Sequence, residues 1–167
     1  MLEILKHIET HHLAKLLENT SGWNSLFIDY ETPIVERVWR QWQEFRICLH
    51  QIHPCLPHQG FFHSHTWPSA MRIISGSYHM RIGFGKNGNP PTQTTQLILA
   101  PGSAYEMIHP DQWHFVAPVS TTLTLMVTAK PWTKSEKPHK PLGPLSKKQQ
   151  EEIFAGVREY YTSLGKE

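Results

Sequence analysis

The sequence predicts an all-β barrel or sandwich with a helix at each end. Short runs of strand-forming residues crowd the middle of the chain, and turn-forming Pro, Gly, Asn and Asp separate them. Apolar residues at helical spacing recur near both termini. The 167 residues suit one domain, long enough to bury a core without disulfides or structural metals. With 39% hydrophobic and 18% charged residues, the chain is globular rather than disordered.

Residues 2–18 are predicted helical, because Leu2, Ile4, Leu5, Ile8, Leu13, Leu16 and Leu17 recur at near-helical spacing. The stretch "NTSGW" supplies the stop. Residues 1–42 are expected to form a helical and irregular segment packed on a barrel. From 43 to 53 the sequence alternates, with Phe45, Ile47 and Leu49 against Glu44, Arg46, Cys48 and His50, and this reads as a strand. Pro54, Pro57 and Gly60 then mark a loop. Further strands are expected at about 61–66, 70–75, 77–84, 95–99, 104–109, 113–117 and 121–129, so the barrel spans 43–131. Residues 132–167 form a Pro- and Lys-rich arm followed by a helix at about 147–164, which Ser146 can cap. Ile153, Phe154, Val157, Tyr160, Tyr161 and Leu164 make one apolar stripe on that helix. It is expected to pack on the barrel or on a partner chain.

Several function classes are excluded or disfavoured. The net charge of +2 is small, and no Lys/Arg stripe interleaved with aromatics suggests nucleic acid. Lys134, Lys137, Lys140, Lys147 and Lys148 read as a solvated linker and helix start. Glu3, Lys6 and Glu9 interrupt the apolar N-terminal run, so it is expected to be neither a signal peptide nor a membrane span. Cys48 and Cys55 make no C-x-x-C pair and read as reduced, small hydrophobes, which favours a cytoplasmic location. No phosphate-binding glycine loop or G-x-S-x-G elbow is present.

The unusual feature is histidine, at 12 of 167 residues. His50, His53, His58, His63, His65, His79, His109 and His114 all fall in the middle of the chain. In a strand, residues i and i+2 share a face with Cα atoms about 6.5–7 Å apart, so His63 and His65 project together. His114 follows a Pro-Asp turn and begins an apolar strand. Three imidazoles on neighbouring strands would leave coordination positions open, as a catalytic metal site requires.

These residues resemble the cupins, whose first motif reads G-x5-H-x-H-x3,4-E-x6-G and whose second reads G-x5-P-x-G-x2-H-x3-N. His63 and His65 match the H-x-H, Gly76 the closing glycine, Gly102 the opening glycine of the second motif and His114 its histidine. The match covers about residues 60–129. It implies a double-stranded β-helix, or jelly-roll barrel. It departs at Gly60, which lies too close to the first histidine, and at Ser69 or Ala70, where the glutamate ligand would fall. His109 and Asp111 stand where Pro and Gly are usual, and Pro118 where Asn is. Three histidines without a carboxylate look like the thiol dioxygenase branch of the family. That likeness implies one divalent metal ion on His63, His65 and His114, with Fe(II) first and Zn, Ni or Mn as alternatives. It implies a dioxygenase-type oxidoreductase acting on a small polar or thiol substrate. A cation would hold the substrate carboxylate, with Arg46, Arg72 and Arg81 as candidates.

Rival readings stay open at this stage. The barrel could be a non-catalytic small-molecule binding or sensing module, since fold does not set function. A metal-dependent isomerase or epimerase would need an acid–base pair that the sequence does not reveal. His109 could be a ligand, could orient one, or could satisfy its turn. The parity of His79 is not fixed by the sequence. Glu106 is expected not to replace the missing carboxylate. Trp67 and Trp113 flank the motifs as pocket walls or as core. A homodimer is plausible, because the edges of such sheets need covering.

Overall fold

The computed structural model describes residues 1–132 and 141–164. Lys134, Lys137 and Lys140 of the expected arm, and the side chain of Leu164, lie outside the described residues. Two helices open the chain, α1 (Leu2–His11) and α2 (Leu13–Glu18), followed by a 3-10 turn at Thr20–Gly22. Ten strands follow: β1 (Asn24–Ile28), β2 (Val35–Trp42), β3 (Phe45–Ile52), β4 (His63–Ser64), β5 (Ser69–Ser75), β6 (Tyr78–Phe84), β7 (Thr95–Leu99), β8 (Ala104–Met107), β9 (Gln112–Pro118) and β10 (Thr122–Thr128). Helix α3 (Lys147–Leu164) closes the chain. The strands form a six-stranded antiparallel sheet, β1-β2-β3-β10-β5-β8, and a four-stranded one, β4-β9-β6-β7. The fold is an all-β jelly roll with terminal helices, as the sequence predicts.

Period-2 alternation divides the large sheet into two working faces. Its outer face presents Val38, Ile47, Leu49, Ala70, Leu125 and Val127, which pack with Leu5, Ile8, Leu13, Leu17, Ile153, Phe154 and Val157 of the helices. Between the sheets, Ile73 packs with Tyr78, Met80, Leu99 and Val116, while Cys48, Met71, Met107 and Met126 form an adjoining sulfur-rich cluster. The stripe on α3 therefore packs on the barrel.

The N-terminal helix breaks at His12, whose φ of −130° leaves the helical region. Leu5 and Ile8 are buried on α1, and the next buried residue is Leu13. In an unbroken helix five residues would turn Leu13 about 140° away from the Ile8 face. The break returns Leu13 and Leu17 to the same core.

A second correction concerns residues 24–42, expected to be partly irregular. They form β1 and β2 and extend the large sheet. The alternation of β2 is masked because both faces carry charge. Glu36 and Arg40 share one face with buried Val38, while Arg37 shares the other with Trp39. The expected strand at 61–66 shortens to two residues, and that at 104–109 stops at Met107. There the Ile108 N–H donates to the Gln112 side chain at 2.9 Å and the turn begins.

Ser146 caps α3 as expected. Its hydroxyl accepts from the Gln149 N–H at 3.3 Å, and Gln149 Oε1 accepts the Ser146 N–H at 2.9 Å. Gly76 turns β5 into β6 at φ +75°, and a Cβ there would sit 2.5 Å from the Thr121 carbonyl oxygen. Phe154 is 2% exposed and meets the Trp23 ring edge-on at 5.4 Å. Phe154→Ala is expected to cost about 3–5 kcal/mol in urea unfolding, since it leaves a cavity beneath α3.

Candidate metal centre

His63 and His114 are direct partners in the β4–β9 register, so both side chains leave the small sheet on its inner face. His65 lies just past β4, two residues on from His63, and turns the same way. The three rings meet. His114 Nε2 is 2.9 Å from His63 Nε2 and 3.1 Å from His65 Nε2, and one nitrogen from each residue lies within 4.8 Å of the others. Two nitrogens held about 2.0–2.1 Å from one ion, at octahedral or tetrahedral angles, stand about 2.9–3.4 Å apart. The two spacings from His114 match that requirement.

The opposite side of each ring has its own partner. His65 Nδ1 is 2.7 Å from Ser69 Oγ, His63 Nδ1 is 3.5 Å from the Phe61 carbonyl, and His114 Nδ1 is 3.4 Å from Tyr105 Oη. A carbonyl only accepts, so the His63 contact keeps the proton on Nδ1 and leaves the Nε2 lone pair facing inward. Such partners fix ring orientation and tautomer around a metal. Ser69 is fully buried on the inner face, and Ala70 turns to the outer core. Of the two positions expected for a motif glutamate, Ser69 presents a hydroxyl to His65 and Ala70 none.

Burial keeps the cluster neutral. Desolvation, opposed by the Phe61 contact and aided by the Arg37 charge, lowers His63 to a pKa of about 4. Desolvation, then His63 and Arg37, lowers His65 to about 3. His114 is held well below its usual range by desolvation and by its two neighbours. Neutral imidazoles with inward lone pairs can bind a cation without first losing protons. The donor set therefore fits a divalent metal of the kind that imidazole suits.

One wall of the site comes from the large sheet. The Arg37 Nε–H donates to His50 Nε2 at 2.8 Å, and His50 Nδ1 is 3.1 Å from Thr124 Oγ1. With Nε2 accepting, Nδ1 carries the proton toward Thr124. Tyr105 Oη also meets Tyr78 Oη at 2.9 Å and Met71 Sδ at 3.2 Å, and burial raises both tyrosine pKa values. Trp67 stands 6.3 Å from His65, centroid to centroid, and its indole nitrogen is buried without a hydrogen-bond partner among the described residues.

Two of the three arginines expected at the site face away from it, and the third stands near a strand end. Arg72 is on the outer face, paired with Glu9 of α1 and bonded to the Gly102 carbonyl at 2.7 Å. Arg81 lies over the Phe115 ring on the outer face of the small sheet. Arg46 shares the inner face of β3 with Cys48 and His50 but is exposed near the strand's end, 4.6 Å over Trp39. The arginine whose charge acts on His63 and His65 is Arg37. Its place is visible only in the β2–β3 register, which sets Arg37 opposite His50. Glu106 is also on the outer face, where it accepts the Leu2 N–H at 3.0 Å. His109 sits exposed in the Pro-Asp turn, accepting the Asp111 N–H at 3.2 Å. His79 alternates with inward Tyr78 and Met80 and so faces outward. Tyr105, Thr124 and Ser69 carried no sequence signal of their own.

No family model and no curated protein matches this chain. Solved structures do. An Fe(II) form of HppE aligns with a TM-score of 0.53 and 10% identity, over 66% of this chain and 58% of that one. Hydroxypropylphosphonic acid epoxidase from S. wedmorenis aligns at 0.48 and 11% identity, over 64% and 55% of the two chains. Streptomyces albus HEPD, with 2-hydroxyethylphosphonate and Fe(II) bound, aligns at 0.45 and 12%, over 60% and 22%. The chain thus spans little more than half of the HppE chain it resembles, and at such identity the likeness is one of fold.

The buried histidines set a pH dependence. Unfolded, each imidazole takes up a proton near its ordinary pKa of 6.5; folded and metal-free, His63 and His65 resist until about 4 and 3. The unfolded state therefore binds more protons across that window, and stability is lost as pH falls through it. Metal-stripped protein is expected to show a lower urea midpoint at about pH 5 than at about pH 7. His65→Ala should show a smaller drop.

Proposed function

We propose that the protein is a mononuclear non-haem metal oxidoreductase, with the ion held by His63, His65 and His114. The observation that carries this is the convergence of three neutral imidazole nitrogens inside the barrel, each steadied from behind. Fe(II) is the favoured metal, with Zn, Ni and Mn as the alternatives to be measured. Bound there, Fe(II) would supply Lewis acidity and redox reactivity toward O2. The chain's own residues do the rest. Three neutral ligands leave the positive charge of the ion uncompensated, and Arg37 adds a fixed cation beside them. The site thus favours a small anionic substrate, such as a thiolate or a carboxylate-bearing molecule. Ser69 and Tyr105 orient His65 and His114, and the sulfur-rich cluster keeps that side of the site dry.

A dioxygenase-type reaction on a polar or thiol substrate is the specific form of the proposal. The Fe(II) in the HppE structure that this fold resembles makes iron the first metal to test. The free thiols of Cys48 and Cys55 fit a cytoplasmic setting. No helix among the described residues is long and apolar enough to cross a membrane. Pairing of two copies along an open sheet edge, β1, β7 or β8, would give the homodimer.

Protein purified without a nickel column should carry about one equivalent of metal by mass spectrometry, lost in His65→Ala. Oxygen uptake with small thiols should depend on iron and vanish in the same variant. A wild-type protein that neither holds nor recovers Fe, Mn, Ni or Zn would leave the non-catalytic binding module as the reading. Arg37→Gln should keep its metal and raise KM for an anionic substrate about ten- to hundredfold, as loss of a charge-assisted hydrogen bond predicts. An unchanged KM would remove Arg37 from substrate binding.

A further inference from the structure

A second histidine cluster lies on the outer surface, remote in sequence from the barrel site. We propose that His7, His11 and His12 form a peripheral site for Zn(II) or another divalent ion that imidazole suits. His7 and His11 stand one turn apart on α1, and their ring centroids are 5.0 Å apart. In an unbroken helix His12 would lie about 140° from His7. The break at His12 changes this and brings the ring back to 5.0 Å from His7. His7 Nε2 and His12 Nε2 are then 3.2 Å apart, inside the range that one shared ion imposes.

The two clusters can be compared directly. The inner rings form a triangle with centroid separations of 5.6, 4.4 and 4.8 Å, and the outer rings one of 5.0, 5.0 and 6.3 Å. Among the described residues only the inner trio has one nitrogen from each ring within 4.8 Å of the others, so His7 and His12 form the preset pair and exposed His11 must turn toward them to complete the set. Glu3 stands one turn before His7 on the same helical face and adds negative charge. Two cations also border the cluster, because Lys15 and Arg40 line a cleft of about 380 Å³ with His12, Leu16, Asn19 and Trp42. Arg40 donates from Nη1 to the Leu16 and Asn19 carbonyls, both at 3.4 Å. The outer site is water-accessible, so the ion keeps water in its open positions and exchanges freely. It should be weaker than the inner one.

The test is equilibrium dialysis of metal-stripped protein against rising Zn(II), read by mass spectrometry. Wild type is expected to take up two equivalents, the second at higher free Zn(II). His7→Ala/His12→Ala should lose the second and keep the first. His7 is exposed and His12 half-buried, so the fold survives the change. His63→Ala/His65→Ala should lose the first and keep the second, which separates failure of the barrel site from failure of this one. Saturation of wild type at one equivalent that depends on His63 and His65 would overturn the proposal. So would a second equivalent that persists in His7→Ala/His12→Ala. Stabilisation by inorganic phosphate, without any zinc equivalent tied to His7 and His12, would show instead an anion cleft built on Lys15 and Arg40.

Discussion

His63 and His114 face each other across an antiparallel pair only two residues long, and the centre of the barrel depends on where that pair points. A slip of one residue would turn both imidazoles to the other face of the sheet. In register, they meet His65 in a desolvated space where protonation is unfavourable. Neutral rings with their outward nitrogens partnered gather three imidazoles around one point, an arrangement that a cation would complete.

The rest of the fold supports that point from two directions. The helices cover the outer face of the large sheet with Leu5, Ile8, Leu13, Leu17, Ile153, Phe154 and Val157. That cover lets the inner face carry polar and sulfur-bearing groups without exposing the sheet to water on both sides. His50, Thr124 and Ser69 are buried there, each with a partner, as buried polar groups require. Leu125 and Val127 serve the outer core while Thr124 and Met126 face inward, so one strand builds both layers.

Charge is placed with similar economy. Arg37 is tied to His50 and acts on His63 and His65 through space, so the site carries a cation without placing it among the three clustered imidazoles. The other arginines serve packing and helix docking. Arg72 pins α1 through Glu9, whose carboxylate also accepts from the Tyr161 hydroxyl of α3 at 2.6 Å. One ion pair thus ties both terminal helices to the sheet.

The sequence by itself determined the strand-rich class, both ends of α3, most barrel strands and the trio His63, His65 and His114. Each of these is local: a period of two, a period near 3.6, a capping serine, or an H-x-H on one strand. Tertiary structure decided what depends on pairing. Charge on both faces hid β2 until its neighbour β3 was known, and with it the place of Arg37 against His50. The outward parity of Arg72, Arg81 and His79 follows from which sheet face is covered by helices and which by the other sheet. No single strand records that. The break at His12 likewise follows from the need of Leu13 and Leu17 to reach the same core as Ile8, a packing demand that helical spacing alone cannot express.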